Sequence, residues 1–216
     1  MQAMILAAGL GKRMQPLSNT IPKPLLTIKG QPLIVYLLKA LKENGVNKVV
    51  INLFHLKDQI KDLLQDGSHY GVKIWYSEEN ELLNTGGGIV NALPLLDDEP
   101  FIVVSADIYT KYQFSLLPKA LTGLAHLVLI DNPSFKTNGD FALEGRQVGL
   151  TGSKLFTYAN IGIFTKKFFE NPPGIIFPLR DLLHRAISNN MVTGEHFTGL
   201  WHNIGTIDLL EAAERA

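Results

Sequence analysis

The chain has no cysteine among its 216 residues. That excludes a disulfide frame, a thiolate nucleophile and a cysteine-bound metal centre. It has no excess of either charge, with 20 basic residues against 20 acidic ones. Broad nucleic-acid or membrane binding draws on a strongly basic surface, so neither is expected, although a local basic pocket fits the balance. No apolar run is long enough to span a bilayer. No basic segment precedes the first apolar run, which follows Met1 directly. No secretion signal is therefore legible, and a cytoplasmic location is expected. Zinc-spaced His and carboxylate clusters, a Ser-His-Asp arrangement, internal repeats and low-complexity tracts are all missing. What is present, 46% hydrophobic and 19% charged residues, suits one globular domain over residues 1–216 with ample core.

The densest chemistry lies at the start. Residues 4–17 read Met-Ile-Leu-Ala-Ala-Gly-Leu-Gly-Lys-Arg-Met-Gln-Pro-Leu, and Pro22-Lys-Pro-Leu25 follows. An apolar run broken by Gly9 and Gly11 predicts a buried strand ending in a loop. Glycines let backbone N–H groups approach a ligand, and Lys12, Arg13 and the proline-flanked Lys23 add positive charge. Exposed N–H groups with nearby cations are what a polyphosphate needs. Two phosphate motifs are excluded. A Walker A loop needs Ser or Thr where Arg13 stands, and a dinucleotide fingerprint needs a glycine where Met14 stands.

Further along, Pro32 to Gly45 predicts a helix with Leu33, Leu37, Leu38 and Leu41 on one face. Val46 to Leu53 reads as a strand, and His55 to Gln65 as a helix with Leu56, Ile60, Leu63 and Leu64 inward. Val72 to Tyr76 reads as a third strand. Such alternation predicts an α/β fold, a mostly parallel Rossmann-like sheet flanked by helices, with ligands beyond the C-terminal strand ends. Asn84 to Ile89 carries three successive glycines and predicts a loop entering a helix, suited to close approach of a base or phosphate. Phe101 to Val104 reads as a central strand, which puts Asp107 on the ligand edge. An acidic residue there is either a turn residue or a Mg²⁺ ligand. His126, inside the strand Ala125 to Asp131, is expected to be packed. Residues 132–141 form a polar insertion, and short antiparallel strands are expected over 141–143 and 147–150. Tyr158 to Phe164 is a strand carrying Asn160, and Phe177-Pro178 begins a helix buried through Leu179, Leu182, Leu183, Ala186 and Ile187. Arg180, Asp181 and His184 of that helix are expected in solvent.

The first stretch resembles the signature of sugar-nucleotide-forming nucleotidyltransferases, Leu-Ala-Ala-Gly-x-Gly-x-Arg-Met-x-Pro-Leu followed by Pro-Lys-Pro-Leu. The resemblance extends to the last helix. It implies the joining of a nucleoside triphosphate to a sugar 1-phosphate with release of pyrophosphate, on a fold with a smaller antiparallel sugar-binding portion. It further implies nucleotide contacts from Leu6, Ala7, Ala8, Gly9, Leu10, Gly11, Lys12, Arg13, Lys23, Thr85, Gly86 and Asp107, with Arg13, Lys23 and Asp107 catalytic. Sugar-phosphate contacts would come from Gly139, Asn160 and Lys23, although a plain hairpin approach accounts for Gly139-Asp140-Phe141 nearly as well. Asn160 offers both a donor and an acceptor to sugar hydroxyls, or else bonds a neighbouring strand.

Two departures stand out. Ala106 replaces the family's glycine before Asp107, and Asn203 in Trp201-His-Asn-Ile-Gly-Thr206 replaces the family's second metal-binding aspartate. An amide oxygen can still ligate Mg²⁺, so the implied cofactor is Mg²⁺ on Asp107 and Asn203. Leu82 stands where some relatives carry a base-reading glutamine. Shared features such as Tyr76-Ser77, Thr85 to Ile89, Ala92 to Leu96, Gly123 to Leu129, Asp131 to Pro133 and Gly194 to His196 resemble the branch that acts in cell-wall recycling. The implied substrates are UTP and N-acetylmuramate 1-phosphate, with no protein partner. Mannose 1-phosphate, heptose 1-phosphate and a catalytically silent sugar-nucleotide-binding regulator stand as alternatives.

Overall fold

The computed structural model describes residues 1–215. Strand β1 (Gln2–Leu6) leads through three short 3-10 turns to a small hairpin, β2 (Thr27–Ile28) and β3 (Gln31–Pro32). Helix α1 (Leu33–Glu43), β4 (Lys48–Leu53), α2 (Lys57–Leu64) and β5 (Lys73–Glu78) follow in alternation. Then come α3 (Asn84–Ala92), β6 (Phe101–Ser105), β7 (Ile108–Thr110) and β8 (Ala125–Ile130). The remainder comprises β9 (Phe141–Glu144), β10 (Gln147–Gly149), β11 (Leu155–Phe164), α4 (Leu179–Ser188), β12 (Val192–His196), β13 (Trp201–Asn203) and α5 (Ile207–Arg215).

One nine-stranded sheet runs through both halves in the order β5-β4-β1-β6-β11-β8-β12-β10-β9. The strands β5, β4, β1 and β6 are mutually parallel, as the alternating pattern predicts. Strand β11 is antiparallel to β6 and β8, and β9 and β10 form the expected antiparallel hairpin. The antiparallel portion thus continues the same sheet. Side-chain alternation along β1 explains the layering. Ala3 and Ile5 pack with Ile34, Leu38, Ile60 and Leu64 of α1 and α2. Met4 faces the other way, into a core with Ile89 of α3 and Leu182 and Leu183 of α4. Both faces are therefore covered by helices, as a parallel sheet requires.

Several boundaries differ from the sequence expectation. Helix α2 begins only at Lys57, because Leu56 takes a left-handed φ of 49°. Leu63, expected inward, is 41% exposed, and Ile60 and Leu64 alone carry the buried stripe of α2. Helix α1 ends as expected, with Gly45 at φ 84° and its N–H donating to the Lys42 carbonyl. His126 is packed, 1% exposed, with Nδ1 2.8 Å from Thr193 Oγ1. No helix is long and apolar enough to cross a membrane among the described residues.

Candidate active site

A cleft of about 410 Å³ opens where the parallel strands end. Leu6 closes β1, Asn52 lies near the end of β4, Glu79 follows β5 and Ser105 ends β6, and all four line the cleft. The loop after β1 forms one wall. Ala7, Ala8, Gly9, Gly11, Lys12, Arg13 and Met14 line it, whereas Leu10 does not. Gly9 has open space where a Cβ would stand. Gly11 has φ 63°, and a Cβ there would lie 2.9 Å from Ser18 Cβ. Only glycine suits that left-handed, crowded position. Ser18 Oγ donates to the Gly11 carbonyl at 2.9 Å and fixes the loop from behind. Met14 is fully buried with Ile28, Leu33 and Ile204, so the side chain that breaks the dinucleotide fingerprint anchors the loop instead.

Lys23 projects into the same cleft from a 3-10 turn in which Pro24 is buried. Its ammonium donates to Asp107 Oδ2. Asp107 occupies the turn after β6, and Asp107 Oδ1 is buried with no hydrogen-bond partner. Asn203 stands beside it. In the pairing of β13 with β7, Asn203 lies opposite Ile108, and the Ile204 N–H donates to the Asp107 carbonyl at 2.8 Å. Arg13 completes the cluster. A Cβ built on Gly205 would lie 3.0 Å from Asn203 Oδ1 and 3.3 Å from Arg13 Nη1. The orphaned Asp107 oxygen and the Asn203 amide are hard oxygen donors of the kind Mg²⁺ accepts. No group of three or more metal-binding side chains exists among the described residues. Two protein donors fit a metal that takes its remaining ligands from phosphate and water.

The glycine-rich segment corrects the sequence expectation. Residues 84–92 are helix α3, and Gly86, Gly87 and Gly88 are buried inside it. Glycine is poor in helices, so close packing must offset the loss. A Cβ on Gly86 would run into the Phe177 ring, and one on Gly88 would lie 2.6 Å from Glu79 Oε1. The Gly86 and Gly87 N–H groups both donate to the Phe177 carbonyl. Gly86 therefore packs α3 against the approach to α4 and does not line the cleft, while Asn84 and Thr85 do. Thr85 Oγ1 accepts from the Leu179 N–H at 2.8 Å, tying α3 to the start of α4.

A polar chain that sequence reasoning missed supports this end of the cleft. Asn52 Oδ1 accepts from the Ala7 N–H at 2.9 Å, and Asn52 Nδ2 donates to Glu79 Oε1 at 2.7 Å. Glu79 Oε2 accepts from the Leu83 N–H at 3.0 Å. Two buried side chains thus lock the β1 loop to the entry of α3. A lone polar residue within the apolar run of β4 was the available signal for Asn52.

A second cavity of about 330 Å³ adjoins the first, and Leu6, Arg13, Thr85 and Ser105 line both. Asn160 and Asn203 face this second space. Asn160 has φ 56°, and the register of β11 against β8 shifts between Tyr158 and Gly162. This bulge turns the amide toward the cavity, and asparagine tolerates the left-handed backbone. Trp201 Nε1 donates to the Ala159 carbonyl at 2.9 Å, satisfying a backbone group beside the bulge. Gly139 lines neither cavity. A Cβ there would collide with the backbone of Leu155 and Phe156, so glycine serves strand packing at that position. Its neighbour Asp140 does line the cavity, paired with Lys136 and accepting from the Tyr158 N–H at 2.9 Å. Burial pushes the Tyr158 phenol up, so it stays protonated. Arg180 and His184 are exposed, as expected of solvated residues, yet both line this cavity.

The model of the family described as nucleotidyl transferase matches residues 2–128. N-acetylmuramate alpha-1-phosphate uridylyltransferase of Neisseria meningitidis serogroup B is 42% identical, covering 99% of this chain and 97% of that protein. UTP–glucose-1-phosphate uridylyltransferase of Synechocystis sp. is 35% identical over 50% of this chain and 30% of that protein. Among solved structures, HddC from Yersinia pseudotuberculosis complexed with GMP-PN superposes with a TM-score of 0.80 at 24% identity, covering 99% of this chain and 98% of that one. That last likeness is one of fold. The family match over more than half of the chain, joined to full-length similarity, shows that the chain belongs to the nucleotidyl transferase family.

Proposed function

We propose that this protein transfers a uridylyl group from UTP to N-acetylmuramate 1-phosphate and releases pyrophosphate. The observation that carries the reading is the pair of cavities with a common wall at Leu6, Arg13, Thr85 and Ser105. Nucleotide on one side and sugar phosphate on the other would bring the reacting phosphorus to that wall. The full-length relative from Neisseria supports the choice of base and sugar. On this reading the N-terminal half holds the nucleotide and the C-terminal half the sugar phosphate. A cytoplasmic role in peptidoglycan recycling belongs to the same proposal.

The nucleophile is a phosphate oxygen of the sugar 1-phosphate, whose second pKa of about 6 leaves it largely anionic at neutral pH. It attacks the α-phosphorus, a new P–O bond forms, and the bond to the β-phosphate breaks. No general base is required. The barrier is the approach of two anions, so positioning and charge stabilisation carry the catalysis. Arg13 and the N–H groups of residues 9–12 hold the departing β- and γ-phosphates. Lys23 neutralises the α-phosphate and the incoming phosphate, and Asp107 orients its ammonium. Asn160 bonds sugar hydroxyls. Asp107 and Asn203 would hold Mg²⁺, which supplies charge neutralisation at the α-phosphate when bound. The Ala7 and Ala8 backbone, Thr85 and the Asn52–Glu79 floor line the space for the base.

The test is pyrophosphate release with each of the four nucleoside triphosphates against a panel of sugar 1-phosphates. The highest kcat/KM is expected for UTP with N-acetylmuramate 1-phosphate. A clear preference for mannose or heptose 1-phosphate would replace the sugar assignment. Nucleotide binding without release from any pair would favour a silent binder.

A further inference from the structure

Among the described residues, two cations that line the second cavity, Lys136 and Arg180, are not used by the reaction above. Of its charged lining, Lys136 is paired with Asp140, and Arg13 also serves the nucleotide cleft. Arg180 forms no ion pair or side-chain hydrogen bond among the described residues. It lies one helical turn before His184 on α4, and both line the cavity. The buried neighbours Leu179 and Leu183 hold that face of α4 in place.

A neutral sugar 1-phosphate carries all its charge at the phosphate, which the Arg13 and Lys23 end of the site accommodates. A second, unpaired cation in the sugar space can pair with a second anion if the ring bears one. N-acetylmuramate does, in the carboxylate of the lactyl ether on its ring. We infer that Arg180 is a specificity-determining residue that receives this sugar carboxylate, with His184 beside it. The inference rests on the proposed substrate and extends it to a residue. A guanidinium presents a planar fork to a carboxylate, and the resulting charge-assisted pair is strong and directional. Lys136, already neutralised by Asp140, leaves the role to Arg180.

The test compares binding of UDP-N-acetylmuramate and UDP-N-acetylglucosamine, which share a ring and differ in the lactyl ether that carries the carboxylate, by calorimetry. Wild type is expected to prefer the acidic ligand. Arg180→Gln is expected to lower that preference on the order of tenfold or more, with the loss in turnover appearing in KM for the sugar phosphate. Arg180→Lys is expected to restore part of it. An N-acetylmuramate ligand with its carboxylate converted to the amide is expected to lose the preference in wild type. A preference in Arg180→Gln within twofold of wild type overturns the inference alone. Equal weakening of both ligands also overturns it, because Arg180 would then act on the phosphates or on the fold. Wild type that binds both ligands alike overturns the substrate proposal and this inference together.

Discussion

Lys23 and Asp107 are 84 positions apart in sequence and form an ion pair across the cleft. Each is held by its backbone, Lys23 between two prolines and Asp107 in the turn that follows a central strand. The pair uses one Asp107 oxygen and leaves the other buried and unpartnered. That orphan oxygen is the local reason to place a metal there. Asp107→Asn keeps the shape and removes the charge. Turnover is expected to fall about 10²–10³-fold, with more Mg²⁺ needed for half-maximal rate. Kinetics over a Mg²⁺ series checks it. An unaltered Mg²⁺ dependence would take Asp107 out of the metal site.

Gly205 sits against both Asn203 and Arg13. A methyl group there meets an amide oxygen at 3.0 Å and a guanidinium nitrogen at 3.3 Å. Gly205→Ala should displace two site groups at once and lower kcat roughly tenfold to a hundredfold, since small misplacements near reacting groups are costly. Thermal unfolding alongside the assay should give a midpoint near that of wild type.

Gly86→Ala separates packing from ligand contact. In an ordinary helix the change stabilises by up to about 1 kcal/mol. Here the new methyl group strikes the Phe177 ring, so destabilisation of roughly 1–3 kcal/mol is expected. Denaturant unfolding gives the sign. A stabilised variant with poor nucleotide binding would return Gly86 to the nucleotide site.

His202 lies between Trp201 and Asn203, stacks on Tyr109 at 6.3 Å between ring centroids, and has a buried Nε2 without a partner. Burial holds its pKa below the ordinary 6.5. The unfolded chain therefore takes up a proton at this residue before the native state does as pH falls. Its contribution to stability is complete above pH 6.5 and is lost as pH drops through and below that value. His202→Phe should lose less stability than wild type between about pH 7.5 and pH 5.5, read from unfolding midpoints. Equal losses would show that His202 does not sense this change.

The parallel half of the fold was legible because β1, β4 and β6 are predominantly apolar runs and α1 carries a regular leucine stripe. Gly9, Gly11, Arg13, Lys23 and Asp107 were legible as a group, since strand ends, glycines and cations point to one ligand edge. The segment from Asn84 to Gly88 was misread because glycine propensity is local, whereas Phe177, whose ring crowds Gly86 and whose carbonyl accepts from the Gly86 and Gly87 N–H groups, lies far along the chain. For Gly139 the sequence admits both a sugar contact and a plain hairpin approach, and its crowding by β11, a tertiary fact, explains why glycine stands there. The Asn52–Glu79 link spans 27 positions and leaves no periodic trace. Leu63 fitted the helical spacing yet faces outward, because α2 is short and buries only Ile60 and Leu64. Arg180 and His184 look solvated on a helical wheel, and only the fold reveals that their exposed face lines a cavity.

The proposed function requires nucleotidyl transfer in the cleft around Arg13, Lys23 and Asp107. Its most direct measurement is product formation from UTP and N-acetylmuramate 1-phosphate with Mg²⁺, followed for wild type and Lys23→Ala side by side. UDP-N-acetylmuramate and pyrophosphate should appear in equal amounts with wild type and about 10²–10³-fold more slowly with the folded variant. Equal rates for the two proteins, or no product from a wild type that binds UTP, would contradict the account.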